Sequence, residues 1–227
     1  MDTLTIHIGN KNYSSWSLRP WLALKQAGVP FAEVLIPLSQ PGSKAAILAQ
    51  SPSGRVPVLC HGDLRLWESL AICEYLAEIF PAAGLWPADR VARAVARAVA
   101  TEMHAGFATL RQQLPMDIRS KRSVPHRVAL AGGDIARLTA LWRDCIQRFG
   151  RPGANGAGPF LFGAYCIADA MFAPATTRLD TYEVPLDPVC AAYVAAQRDH
   201  PAMREWRDAA AEEPWTIDYD LSGTTPY

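Results

Sequence analysis

The stretch RVPVLCHGDLRLWES, residues 55–69, decides how the N-terminal half of this chain folds. The pattern predicts two short strands, residues 56–60 and 63–67, joined by a tight turn at residues 61–62. Residues 69–79 carry apolar side chains at helical spacing and predict an amphipathic helix. A hairpin followed by a helix therefore closes this folding unit.

The residues before the hairpin supply the other elements of the unit. TLTIHI, residues 3–8, alternates as a strand does, and residues 17–27 carry leucine and tryptophan at helical spacing. A second strand is predicted over residues 31–38 and a short helix around residues 43–49. The order is βαβαββα, with a parallel first pair of strands and a terminal hairpin. It predicts a thioredoxin-like α/β domain with a mixed sheet.

The stretch FPAAGLWP, residues 80–87, contains two prolines and a glycine between two helical segments, as a short interdomain linker does. We therefore expect a thioredoxin-like domain over residues 1–82 and a second domain over residues 83–227. The second domain has almost no strand pattern, so it is predicted to be all-helical. Its expected helices cover residues 88–114, 125–148 and 167–182, with one or two more in 188–212, and a glycine-rich connection spans residues 150–159.

Composition limits the partners that this chain could have. Lys plus Arg and Asp plus Glu number 22 each, so no global field would attract nucleic acid or anionic lipid. No run of about 18 uncharged apolar residues is present, so a cytoplasmic protein without a membrane partner is expected. The 5 cysteines are scattered and odd in number, which argues against a disulfide framework and a thiolate metal site. We expect them to be reduced and mostly buried, with no metal bound.

The segment NYSSWSLRPWLALK, residues 12–25, places serines ahead of the first predicted helix. Pro20 requires that helix to begin around residues 15–17, because proline is tolerated where its missing N–H would have no partner. In a thioredoxin-like unit this helix end is reactive, since unpaired N–H groups and the helix dipole stabilise an anion. Redox proteins place a cysteine there, whereas a serine could donate to a thiolate carried by the substrate. The alternative is that Ser15 or Ser17 merely caps the helix.

Two further motifs have features of a peptide-binding site. Val56-Pro57 starts a strand, and a cis bond there would turn the Val56 backbone outward to pair with an extended peptide. The alternative is an ordinary edge strand. Glu68 and Ser69 begin a helix, where serine and first-turn N–H groups suit a carboxylate and glutamate suits an ammonium. An amino-acid head group carries both charges, although helices also begin with these residues without binding one.

Together, these motifs resemble those of the cytosolic glutathione transferases, in particular the serine-type zeta, tau and theta classes. The resemblance rests on SSWSLR and LAL in residues 14–24, SGRVPVL in 53–59, ESLAICEYL in 68–76 and GAYCIADA in 163–170. These stretches follow the family's order and span nearly the whole chain. The last is similar to the capping box before the family's central buried helix, with Cys166 where that box has serine or threonine.

The resemblance implies that Ser14 activates the thiol of glutathione, with Ser15 as its neighbour and as the alternative contact of the sulfur. The implied function is that of a glutathione transferase, which holds this thiol as a thiolate for attack on a small, largely apolar electrophile. Glutathione is then a co-substrate, no cofactor is needed, and a homodimer is implied. Open alternatives are a glutathione-dependent isomerase, dehalogenase or peroxidase, or a non-catalytic protein of this fold that binds ligands.

The implied glutathione site draws on three segments of the N-terminal domain. A backbone before a proline would pair with the cysteinyl unit, a helix start would bind the γ-glutamyl end, and a basic side chain would lie near the glycyl carboxylate. The residues assigned to glutathione in this way are Ser15, Lys44, Arg55, Val56, Pro57, Glu68 and Ser69.

The electrophile, by the same resemblance, binds against the first long helix of the helical domain. Met103, Phe107 and Arg111 follow at helical spacing and are expected to share one face of that helix. Arg111 would attract an anionic or polarisable electrophile. Met103 and Phe107 would be equally ordinary as core residues.

Overall fold

The computed structural model describes residues 3–150 and 160–219. Its sheet has the strand order β2 (Phe31–Leu35), β1 (Leu4–Ile8), β3 (Val58–His61) and β4 (Leu64–Trp67), with β1 and β2 parallel and the other two pairs antiparallel. The elements alternate in the predicted order βαβαββα, so the mixed sheet of a thioredoxin-like domain is confirmed. They are β1 (Leu4–Ile8), α1 (Ser15–Ala27), β2 (Phe31–Leu35), α2 (Ser43–Leu48), β3 (Val58–His61), β4 (Leu64–Trp67) and α3 (Ser69–Ile79).

Helix α1 is packed into the core along most of its length. Leu18, Leu22 and Leu24 are completely buried in the same apolar cluster as Ile6 and Ile8 of β1. Each such side chain contributes about 2 kcal/mol to folding by leaving water. This burial holds the start of α1 firmly against the sheet.

The remainder of the described chain is helical. A short 3-10 turn, Pro81–Ala83, follows α3, and the predicted boundary at residue 82 falls within it; that boundary stays a prediction. No strand occurs after β4 in the part of the chain that the structure describes, and residues 151–159 of the glycine-rich connection lie outside it. The helices are α4 (Arg90–Ala105), α5 (Ala108–Gln113), α6 (Pro125–Leu130), α7 (Gly132–Phe149), α8 (Ile167–Thr181), α9 (Pro188–Asp199) and α10 (Pro201–Ala211).

Helix α8 is the central helix of the molecule. Of its 15 residues all but Asp180 are buried, and it packs against both α1 and α4. Asp169 holds its N-terminus, because its carboxylate accepts the Cys166 N–H at 3.0 Å and the Leu161 N–H at 3.1 Å. A capping box between Cys166 and Asp169 is therefore present, as the similarity of residues 163–170 implied. Helix α8 ties the sheet domain to the helical region.

Three predicted elements differ in extent from the observed ones. The helix predicted over residues 88–114 ends at Ala105, because Gly106 leaves helical geometry and Phe107 adopts a left-handed backbone with φ of 60°. The helix predicted over residues 125–148 is divided between α6 and α7. Strand β2 ends at Leu35, two residues before a proline that has no N–H to donate to a neighbouring strand.

The cysteines are placed as expected. All 5 cysteines are buried and free. Within residues 3–150 and 160–219, no group of three or more His, Cys, Asp or Glu side chains could hold a metal ion. No helix in those ranges is long and apolar enough to cross a membrane.

Candidate glutathione site at the start of helix α1

Ser14 occupies the N-cap position of α1, but its side chain does not cap the helix. Its hydroxyl instead donates to the Oγ of Ser17 at 2.7 Å, and that oxygen also accepts the Gly9 N–H at 3.0 Å. Ser15 and Ser17 lie inside the helix, so neither occupies the cap. The capping alternative is therefore wrong. The helix begins at Ser15, within the range that Pro20 predicts.

The first turn of α1 leaves backbone donors unused. Within the described residues, the N–H groups of Trp16 and Ser17 have no hydrogen-bond partner, whereas the Leu18 N–H bonds to the Ser14 carbonyl at 3.2 Å. Such donors, with the positive end of the helix dipole, favour an anion in front of the helix. Ser14 as a whole residue is 6 % exposed, so an anion beside it would meet little competing water.

The loop before Ser14 is held by residues far along the chain. The side-chain amide of Asn12 donates to Asp117 at 2.8 Å, and its oxygen accepts the Arg119 N–H at 3.0 Å. Burial alone would raise the pKa of Asp117, but hydrogen bonds, including those from Asn12 and Arg122, hold that pKa below its usual value. Asp117 therefore carries a negative charge that anchors the loop.

The C-terminal segment also supports this loop. The carboxylate of Glu213 accepts the backbone N–H of Lys11 at 2.6 Å and that of Asn12 at 3.1 Å. Arg119 bonds to the carbonyls of Glu213 at 2.6 Å and Trp215 at 2.7 Å. The position of Ser14 thus depends on contacts that span almost the whole described chain.

A cavity of about 160 Å³ brings together residues from the start of α1, the β3 loop and the start of α3. The structure places five of the predicted glutathione residues in its wall. Trp16 and Ser53, which the sequence did not assign, line it as well. The lining residues are Trp16, Ser53, Arg55, Val56, Pro57, Glu68 and Ser69.

Ser69 has a polar group with nothing to bond to in the described chain. It begins α3 and is 1 % exposed, and its Oγ has no hydrogen-bond partner among the described residues. A buried hydroxyl normally has a partner, because leaving it unsatisfied costs about 1–3 kcal/mol. In a cavity wall, such a hydroxyl is suited to a ligand acceptor such as a carboxylate.

The Val56 backbone is available in the way that a peptide site needs. The Val56-Pro57 bond is cis, and the Val56 N–H and C=O have no partner among the described residues. The loop before it is fixed by Ser51, whose hydroxyl donates to the Arg55 carbonyl at 2.6 Å and accepts the Arg55 N–H at 3.1 Å. An extended ligand could pair with this backbone as an added strand does.

Glu68 lies between the cavity and the helical region. Its backbone has φ of 69°, and its carboxylate is 3.6 Å from Nε2 of His104 in α4. Burial, and then the charge of Arg19, lowers the pKa of His104, although Glu68 acts in the opposite direction. His104 is therefore neutral at pH 7, and the Glu68 charge is left for a cationic ligand group.

Ser15 and Lys44 are near the site but do not line the cavity. Ser15 is the first residue of α1 and is 7 % exposed. A Cβ added at Gly54 would lie 3.3 Å from the Lys44 Nζ, so that ammonium lies beside the loop that carries Arg55. Both basic candidates for the glycyl carboxylate thus lie on one side of the site.

Two arginines lie against Trp16 on the side of the helical region. The guanidinium carbon of Arg19 is 4.3 Å from the Trp16 ring centre, and that of Arg111 is 4.7 Å from it. Arg19 is completely buried, and none of its three side-chain nitrogens has a partner among the described residues. Burial, with the charges of Arg111 and Arg178, holds the pKa of Arg19 well below its usual value.

The predicted electrophile residues are placed differently from the expectation. Met103 lies in α4 and is completely buried, Phe107 is 6 % exposed beyond the end of that helix, and Arg111 lies in α5. They do not share one face of one helix, because the chain leaves helical geometry at Gly106. Arg111 bonds to the carbonyls of Met103 and Gly106, so it holds the end of α4. Neither Met103 nor Phe107 lines the cavity of about 160 Å³.

Sequence reasoning missed Trp16, Ser53, Ser17 and Arg19. A signal was present for Trp16, because it is a large aromatic residue between two serines at a helix end that the sequence predicts to be reactive. Ser53 is adjacent to the Val56-Pro57 motif. No sequence signal separates Arg19 from an exposed helical arginine.

This chain is similar to known proteins over most of its length. Residues 13–79 match the family described as glutathione S-transferase, N-terminal domain. A maleylacetoacetate isomerase of Rhizobium meliloti (strain 1021) is 32 % identical over 210 residues, covering 83 % of this chain and 92 % of the relative. A glutathione transferase homologue from Burkholderia, crystallised with bound glutathione, is 27 % identical with a TM-score of 0.67, covering 94 % and 100 % of the two chains. A maleyl pyruvate isomerase, a bacterial zeta-class glutathione S-transferase, is 25 % identical with a TM-score of 0.69 and the same coverage. The chain belongs to the glutathione S-transferase family.

Proposed function

We propose that this protein is a glutathione transferase that activates the thiol of glutathione through Ser14. The observation that carries the proposal is the cavity in which Val56, Glu68 and Ser69 meet the start of α1. Its wall offers an unpaired backbone for the cysteinyl unit, a carboxylate for the ammonium and an unsatisfied hydroxyl for the γ-glutamyl carboxylate. Glutathione has all three groups in one extended peptide.

The thiol of glutathione would lie in front of α1. The Ser14 hydroxyl and the unused N–H groups of Trp16 and Ser17 favour the thiolate over the thiol, because hydrogen bonds to a charged form lower its pKa. The thiolate is the reactive nucleophile. It would attack a small electrophile in the space next to Trp16, and no cofactor is required.

The test is turnover by the Ser14→Ala variant with glutathione and a reactive aryl halide. The variant loses a hydrogen bond to a charged group, so kcat should fall about 10- to 150-fold while glutathione still binds. The Ser15→Ala variant is the matched comparison and should keep most of its turnover. Full activity in Ser14→Ala, with a loss in Ser15→Ala, would transfer the role to Ser15.

A second candidate function, a glutathione-dependent isomerase, is favoured by the arginines beside Trp16. Neither Arg19 nor Arg111 forms a salt bridge with a carboxylate among the described residues. A substrate that carries carboxylates would supply the missing negative charge. Two similar proteins are named as isomerases of maleyl compounds.

Product analysis distinguishes the two candidates. A transferase consumes glutathione and forms a thioether, whereas an isomerase returns glutathione unchanged and converts a cis unsaturated diacid into its trans form. Wild-type protein is incubated with glutathione and either an aryl halide or a maleyl-type acid. If only the maleyl-type acid is turned over, and glutathione is not consumed, the isomerase is favoured.

The homodimer implied by the resemblance is likewise a proposal, which sedimentation analysis would test.

A further inference from the structure

The Ser17 hydroxyl has a place in the site that the proposed function does not explain. Ser17 is completely buried in the first turn of α1. Its Oγ accepts the Gly9 N–H at 3.0 Å and the Ser14 hydroxyl at 2.7 Å. Ser17 is the acceptor in both bonds, so its own O–H is still available as a donor. The Ser14 oxygen, 2.7 Å away, is an acceptor within reach of it.

We propose that Ser17 is a positioning residue: its hydroxyl donates a hydrogen bond to the Ser14 oxygen once the Ser14 hydroxyl donates its own hydrogen bond to the glutathione sulfur. The inference rests on the proposed function, since it needs a thiolate in front of Ser14. Without glutathione, Ser14 donates to Ser17. A hydroxyl both donates and accepts, so the same 2.7 Å contact serves in the opposite direction after both O–H bonds rotate. No covalent bond forms or breaks, and each proton stays on its oxygen.

The result is a chain of donors that ends on the sulfur. The Gly9 N–H donates to Ser17, Ser17 donates to Ser14, and Ser14 donates to the thiolate. Each bond in such a chain polarises the next, and burial excludes water that would weaken it. Ser17 therefore makes Ser14 a stronger donor. The side chain of Ser15 makes no hydrogen bond among the described residues, so it has no such support.

Close packing at Gly9 keeps this chain in place. A Cβ at residue 9 would lie 3.1 Å from the Ser14 Cβ and 2.8 Å from a Leu38 methyl group. Both distances are shorter than ordinary carbon contacts. Glycine is thus the residue that allows the β1 end to approach Ser14 and Ser17 closely enough for both hydrogen bonds.

The experiment measures the pKa of glutathione bound to the protein, from the ultraviolet absorbance of the thiolate. Ser17→Ala should raise this pKa by about 0.5 to 1 unit and leave glutathione affinity almost unchanged. Ser17→Thr, which keeps the hydroxyl, should restore it. In a Ser14→Ala background, Ser17→Ala should cause no further shift, because the chain is already broken. Thr139→Val, which removes a buried hydroxyl of α7, is the control and should leave the pKa unchanged.

An unchanged pKa in Ser17→Ala would overturn the inference, and so would an equal shift in the Ser14→Ala background, since that indicates a merely structural role. If Ser17→Ala does not fold, Ser17→Cys gives the same test, because a thiol is a weaker donor than a hydroxyl. Wild-type protein that binds glutathione without lowering its thiol pKa would refute the proposed function, and the inference with it. A lowered wild-type pKa that Ser17 variants do not change would refute the inference alone.

Discussion

Replacing Ser69 with alanine should weaken glutathione binding without destabilising the glutathione-free protein. The Ser69 hydroxyl is 1 % exposed and has no partner among the described residues. It therefore loses its hydration on folding and gains no hydrogen bond in return. In the proposed site, a glutathione carboxylate would provide that bond. The substitution should accordingly destabilise the complex with glutathione but not the glutathione-free protein.

The magnitude follows from the hydrogen bond that is lost. A hydrogen bond to a charged group contributes about 1.5–3 kcal/mol, so the Kd for glutathione should rise about 10- to 150-fold. Removing an unsatisfied buried hydroxyl relieves part of its desolvation cost. The free energy of unfolding without glutathione should thus stay the same or increase by about 1 kcal/mol.

Titration calorimetry measures the Kd, and urea unfolding without glutathione measures the stability. Thr139→Val is again the control, because the Thr139 hydroxyl is buried but already bonds to the Ile135 carbonyl at 3.0 Å. It should lose about 1 kcal/mol of stability and keep its affinity. A Kd for Ser69→Ala within twofold of wild type, or a clear loss of its stability, would refute the reasoning.

Two further substitutions test the supports of the site and of the central helix. Gly9→Ala should lower turnover several-fold with a smaller loss of glutathione affinity, since its Cβ would displace Ser14; steady-state kinetics measure both, and unchanged kcat would contradict the packing argument. Burial raises the pKa of Asp169 from 3.8 to about 6, so the stability that this group contributes is greatest below pH 4 and falls as the pH rises to about 6. Asp169→Asn should remove this part of the pH dependence, roughly 3 kcal/mol, while also losing a helix cap. Urea unfolding at pH 5 and pH 7 checks this, because about 1 kcal/mol of that contribution is lost between these two pH values. An unaltered pH dependence would refute the raised pKa.

The fold could be predicted because its signals are local. The strands are short runs of a few residues, and α1 and α3 carry their apolar residues at helical spacing, so local pattern and element order were enough. The break at Gly106 was missed because glycine inside a helical pattern costs only about 1 kcal/mol, which does not by itself end a helix. What ends it is the left-handed backbone of Phe107, and side-chain pattern alone does not predict that geometry.

The sequence predicted only those parts of the candidate site that lie in short local motifs. The sequence predicted Val56, Glu68 and Ser69 because each lies at or just before the start of an element, where backbone groups are unpaired. The support of the Ser14 loop by Asp117 and Glu213 could not be found, since it joins residues that are 105 and 201 positions apart from Asn12. No local pattern records such pairs, and they form only when the helical region packs on the sheet.

The unsatisfied polar groups of this protein offer a physical argument for where its ligands bind. Ser69 Oγ, the Arg19 guanidinium, one Arg111 nitrogen and the His104 Nδ1 all lack partners among the described residues, and all belong to segments around Trp16. Other buried atoms without a partner lie elsewhere, in Trp142, Tyr165 and His200 among others, so a missing partner does not by itself mark a binding site. Ser69 differs from them because its hydroxyl lies in a cavity wall, where a ligand can reach it. A buried group without a partner costs folding about 1 kcal/mol or more. In the proposed site a glutathione carboxylate would offset that cost for Ser69, so binding, rather than folding, gives the physical reason for a serine at this position.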